Sequence, residues 1–70
     1  MIEVFKTNVR RKGAVRILLK RLLEKFPGSR VNFDLDDCDR VLRIEGPAIC
    51  PESTIELLKT YGHHCEILNN

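Results

Sequence analysis

The sequence predicts an α+β domain, a four-stranded antiparallel sheet carrying two helices on one of its faces. Three observations predict it. Apolar residues recur at three- and four-residue steps in two separate stretches, Arg11 to Phe26 and Pro51 to Tyr61. Residues Arg30 to Asp36 instead alternate polar and apolar without a break, the period of a strand. Between these stretches stand Pro27-Gly28, Asp36-Asp37-Cys38-Asp39 and Gly46-Pro47, three breaks of turn-forming composition.

Length and composition set the outer limits. Seventy residues, 43% of them hydrophobic, describe one domain, because a second core would need roughly 50 residues of its own. A core this small has little spare stability for an elaborate cavity, which argues against an enzyme acting on a large substrate. No stretch approaches the roughly 18 apolar residues of a membrane span, and Met1 to Arg10 lacks the apolar block of a signal peptide. The expectation is a cytoplasmic protein without membrane insertion. Twelve Lys plus Arg against ten Asp plus Glu give a net charge of +2, too small to imply nucleic-acid binding by itself. Cys38, Cys50 and Cys65 are odd in number and form no Cys-x-x-Cys pair, so reduced thiols are expected.

Taken in order, Ile2 to Thr7 mixes Ile, Val, Phe and Thr with Glu and Lys and reads as a half-buried strand. Val15, Leu18, Leu19, Leu22, Leu23 and Phe26 then gather on one face of a helix, with Lys12, Arg16 and Lys20 opposite and Ile17 left exposed among bases. Pro27-Gly28 stops that helix. Val31, Phe33 and Leu35 share the buried face of the next strand, and the Asp-rich segment turns it into Arg40 to Glu45 as a hairpin. Pro51 suits the first turn of a second helix, where no N–H is needed, and Ile55, Leu57, Leu58 and Tyr61 form its apolar side. Tyr61-Gly62 closes it, and His63 to Leu68 forms a last strand before a polar Asn69-Asn70 end.

The order strand, helix, strand, strand, helix, strand predicts a ferredoxin-like sandwich with spatial strand order 4-1-3-2. It follows that the loop Asn8 to Lys12, the turn Asp36 to Asp39 and the pair His63-His64 lie at one end of the domain.

Across nearly its whole length the chain resembles the heavy-metal-associated domain of small copper chaperones, mercury-binding proteins and metal-pumping ATPases. Phe5-Lys6-Thr7-Asn8-Val9, Phe26-Pro27-Gly28 and Tyr61-Gly62-His63 carry the resemblance. Members of that family hold metal on a Met-x-Cys-x-x-Cys loop at the start of the first helix. Counting back from Pro27-Gly28 puts Arg11 and Ala14 at the two cysteine positions, and no cysteine precedes Cys38. Two-thiolate coordination of a soft ion cannot be made by a guanidinium and a methyl group. The resemblance therefore implies the fold and a docking end used for charge-complementary partners, but not the metal loop.

Three candidate sites follow. Arg10, Arg11 and Lys12 stand where a helix dipole disfavours cations, a locally unfavourable choice that suits capture of an anion or an acidic protein surface. Asp36, Asp37 and His63 share that end; the ordinary explanation is that Asp36, Asp37 and Asp39 simply neutralise the bases. Cys38, His63 and Cys65 offer soft and borderline ligands for zinc or copper, although His63 and Cys65 share a strand face that His64 does not, and Cys65 with Ile67 also suits the core. The stripe Lys12, Arg16, Lys20, Arg21 and Lys25 could meet nucleic acid, but a solvated helix face is the usual explanation and only Phe5, Phe26, Phe33 and Tyr61 could stack on bases. A cysteine nucleophile at Cys65 lacks a base aimed at it, and the Asp cluster reads as a turn rather than an acid–base pair. The sequence thus predicts a non-enzymatic interaction module without a resident cofactor, monomeric or weakly dimeric, recognising a charged protein surface through Arg10, Arg11, Lys12, Asp36, Asp37 and His63.

Overall fold

A computed structural model describes residues 1–68 of the chain. Its elements are β1 (Ile2–Thr7), α1 (Lys12–Lys25), β2 (Arg30–Asp34), β3 (Val41–Glu45), α2 (Pro51–Thr60) and β4 (Cys65–Ile67). They form one antiparallel sheet in the order β2-β3-β1-β4 with two helices, as expected. Asn69-Asn70, read from the sequence as a polar end, lies outside the described residues.

Alternation along the strands decides which face is covered. Phe5, Leu42, Ile44 and Cys65 are buried, with Val31 and Phe33 half-buried beside them, whereas Lys6, Arg43, Glu45, Arg30, Asn32 and Asp34 are exposed. The buried set forms one cluster with Leu18 and Leu22 of α1 and Leu58 of α2. Each of these three leucines is at most 1% exposed, and burying one stabilises the fold by roughly 1.5–3 kcal/mol.

Helix ends follow from local chemistry. Phe26-Pro27-Gly28-Ser29 is a turn in which Gly28 takes φ +82° and the Ser29 N–H donates to the Phe26 carbonyl at 3.2 Å. At the end of α2, Gly62 at φ +84° lets its own N–H reach the Lys59 carbonyl (2.9 Å) and the His63 N–H reach that of Leu58 (2.8 Å). This closure gives the Lys59 carbonyl a donor and the Leu58 carbonyl a second one, beside the Tyr61 N–H at 3.1 Å.

Five expectations are corrected. β2 ends at Asp34, not Asp36, because the Asp36 N–H bonds to Asp34 Oδ1 at 3.2 Å and turns the chain; Leu35 still packs on the core from the loop. Arg40 is not the first residue of β3: it sits at φ +47°, its N–H bonded to the Asp37 carbonyl at 3.0 Å. His63 and His64 precede β4 instead of belonging to it, since the helix closure holds His63. Leu23 is exposed, its phase carrying it past the edge of the apolar arc that Leu18 and Leu22 centre. Ile67 is 45% exposed, because it ends a three-residue edge strand. Ile17 is exposed as expected, while Val9, Ile49, Thr7 and Thr54 are buried positions that periodicity did not single out.

Candidate docking end of the domain

Hydrogen bonds bring the three predicted segments together. The Thr7 N–H donates to the Asp39 carbonyl (3.1 Å) and the Thr7 hydroxyl to the Arg40 carbonyl (2.7 Å), which ties the end of β1 to the hairpin turn. Asn8 and His64 bond to each other, the Asn8 N–H to the His64 carbonyl at 3.3 Å and the His64 N–H to Asn8 Oδ1 at 2.8 Å. The loop leading into α1, the hairpin turn and the approach to β4 therefore lie at one end.

At that end α1 begins without a cap. Arg11, the N-cap residue, has extended backbone (φ −105°, ψ 138°) and its side chain accepts nothing from the first-turn N–H groups; the first turn also holds no acid. A Ser, Thr, Asp or Asn cap is ordinarily worth about 1 kcal/mol, so this start is costly for the helix. Among the described residues, no atom from another part of the chain lies within 4 Å of where a Cβ on Gly13 would stand. Arg10, Arg11 and Lys12 are all exposed.

Direct neutralisation by the turn, the ordinary explanation for those bases, is not what the geometry shows. Among the described residues none of the three cations lies within 4.0 Å of a carboxylate oxygen, whereas Asp39 Oδ1 is 3.8 Å from Lys6 Nζ. Asp37 Oδ1 instead accepts the Asp39 N–H at 2.8 Å, shaping the turn. Asp36 shares the lining of a shallow hollow with Lys12, so its field reaches the bases without a bonded pair. The end is bipolar, with free cations on the helix side and acids on the hairpin side.

The Cys38, His63 and Cys65 set does not come together as a ligand group. Among the described residues, the one group of three such side chains with ligand atoms within 4.8 Å of one another is Asp37, Cys38 and Asp39, three neighbours on an exposed turn. Cys65 is buried, and burial, followed by the Glu66 charge, pushes its thiol up to about 12, which opposes the thiolate a metal needs. His63 is half-buried behind the α2 closure, and His64 Nε2 lies 3.0 Å from Glu66 Oε2.

Elsewhere, Arg16, Lys20, Arg21 and Lys25 are exposed along α1, but Arg21 is taken up by Glu24 (2.9 Å) and by the Tyr61 hydroxyl (2.8 Å). Phe5 is buried and Phe26 and Phe33 are half-buried against the core, leaving Tyr61 as the exposed ring; the rings provide no stacking platform for bases. Cys50 is the chemically distinctive residue that sequence reasoning passed over. It is exposed at the N-cap of α2, and the Ser53 hydroxyl, then the Ser53 amide, lower its thiol pKa. Its position immediately before Pro51-Glu52-Ser53 was the available signal.

Comparison with protein-family models, with curated proteins and with solved structures finds no match to this chain. No helix among the described residues is long and apolar enough to cross a membrane.

Proposed function

We propose that this chain is a small non-enzymatic interaction module of ferredoxin-like architecture, in which the uncapped start of α1 and the acidic hairpin turn dock a charged surface of another protein. One observation carries the reading: Arg10, Arg11 and Lys12 crowd the positive end of a helix that lacks both a cap and a first-turn acid, and none of them has a bonded carboxylate among the described residues. An acidic partner surface would meet the three cations and the uncapped helix start together, and the partner's basic groups would meet Asp36 and Asp37. Such complementarity sets orientation and encounter rate more than raw affinity. Element order and the Phe26-Pro27-Gly28 and Tyr61-Gly62-His63 turns support descent from a heavy-metal-associated domain that has lost its metal loop, since Arg11 is the N-cap residue and Ala14 packs toward the core.

The test is affinity capture from the native host with wild-type bait, Arg11→Glu/Lys12→Glu bait and Arg16→Glu/Lys20→Glu bait. Both variants change the charge equally, at the end and in the middle of α1 respectively. Capture lost with the first alone is the expected result. Unchanged capture, or equal loss from both, sinks the proposal.

A further inference from the structure

We infer that β2 is the edge through which two copies of this chain associate, their β2 strands pairing antiparallel about Asn32. β2 is an outer strand hydrogen-bonded to β3 alone, and its register, Arg30↔Glu45 to Asp34↔Val41, runs one to one with no inserted residue. It holds no Pro and no Lys, and its two charges, Arg30 and Asp34, stand where a second copy can pair them. Its five residues are complementary to themselves. With Asn32 on the two-fold axis, Arg30 faces Asp34 of the second copy and Asp34 faces its Arg30, both on the exposed side of the sheet. Val31 meets Phe33 in the same way on the core side.

Competing arrangements lose this match. A slip of one residue sets Arg30 opposite Phe33, joining the exposed face of one copy to the core face of the other and breaking the two-fold relation. A slip of two pairs Asn32 with Arg30 or with Asp34 and leaves the remaining charge unopposed. The other outer strand, β4, would place Glu66 against Glu66 of the second copy, a like-charge pair at its centre.

Two apolar features at this edge would gain cover. An open hollow of about 400 Å³ runs beside β2, with Val15, Phe33 and Leu35 among its lining residues. Leu19 and Leu23 stand four and eight residues on from Val15, on the same flank of α1, and Leu23 is 45% exposed. By helical phase Lys12 and Arg16 lie beside Leu19 and Leu23 on that flank, rather than on the opposite side that the sequence predicts, and Lys12 lines the hollow as well.

Sedimentation equilibrium of the full chain under reducing conditions tests the inference. The wild type is expected to show a concentration-dependent dimer. Arg30→Asp and Asp34→Arg each turn both attractive pairs repulsive and should weaken self-association about tenfold or more. Mixing these two variants recreates two opposite-charge pairs, so a heterodimer tighter than either homodimer is expected. Circular dichroism melts confirm that each variant is folded, and should either fail, Arg30→Glu and Asp34→Lys make the same reversal. A wild type that stays monomeric at millimolar concentration overturns the proposal and leaves the edge to a strand of a different protein. A dimer indifferent to both reversals, or variants that do not recombine on mixing, overturn it as well.

Discussion

Asn8 and His64, 56 residues apart, hold each other across the end of the sheet: the His64 N–H donates to Asn8 Oδ1 at 2.8 Å and the Asn8 N–H to the His64 carbonyl at 3.3 Å. β4 has three residues and borders β1 alone, so this pair fixes a strand with little ladder of its own. Asn8→Ala removes the side-chain bond and exposes the His64 N–H to water. The expected cost in urea unfolding is about 1 kcal/mol. Amide exchange should quicken at His64 and Cys65 before it does in β3; uniform quickening across the sheet would show that the bond has no local role.

Thr7 works in both directions at the opposite side of the same loop. Its hydroxyl donates to the Arg40 carbonyl at 2.7 Å and accepts the Val9 N–H at 3.2 Å, with Thr7 6% and Val9 0% exposed. Thr7→Val keeps the shape and removes both bonds, leaving the buried Val9 N–H and the half-buried Arg40 carbonyl to find other partners. It should cost about 1–3 kcal/mol, against about 1 kcal/mol for Thr7→Ser, which keeps the hydroxyl and loses a methyl. A valine variant as stable as the wild type in denaturant titration would refute this assignment.

Arg40 occupies the left-handed region at φ +47° while its guanidinium donates from Nη1 to the Leu35 carbonyl at 3.0 Å. Two substitutions separate the backbone from the side chain. Arg40→Ala and Arg40→Gly both lose the hydrogen bond, but only Gly relieves the left-handed strain of about 1–2 kcal/mol, at an entropic cost of about 0.5–1 kcal/mol. The glycine variant should therefore melt higher than the alanine variant, by the equivalent of roughly 0.5–1 kcal/mol. Equal melting points would mean the turn relaxes around residue 40.

These three positions also mark where the sequence stopped being legible. Periodicity located α1, α2 and β2, because the steps of Leu18 and Leu22 and the alternation of Val31 and Phe33 report which side is wet, and that is set by burial; β1 and β4 were placed by composition and by the breaks beside them. Strand ends were missed where side chains compete for the backbone: Asp34 captures the Asp36 N–H, a local bond that hydropathy does not register. Arg40 read as strand because an Arg at positive φ has no sequence signature. The gathering of Asn8, Asp39 and His64 followed from topology alone, whereas the absence, among the described residues, of a bonded carboxylate at Arg10, Arg11 and Lys12 needed coordinates, since sequence gives which charges share an end and not which of them touch.

Cys65 and Cys50 should behave as opposites. Cys65 is 6% exposed, and burial pushes its thiol up to about 12 from an ordinary 9.0, while Cys50 is exposed at the start of α2 with a lowered pKa. Iodoacetamide near neutral pH should label Cys50 first, then Cys38, and leave Cys65 intact until unfolding. The same shift fixes a pH dependence. Between about 9 and 12 the unfolded chain releases the Cys65 proton and the folded chain retains it, so the folded state binds more protons and its stability falls as pH rises. The slope attributable to this thiol is at most about 1.4 kcal/mol per pH unit. Cys65→Ala is less stable than the wild type at pH 7, through lost packing, and lacks the slope. The gap between the two should narrow steadily from pH 8.5 to 10.5 in urea unfolding; a constant gap would mean that Cys65 ionises as readily in the folded chain as in the unfolded one.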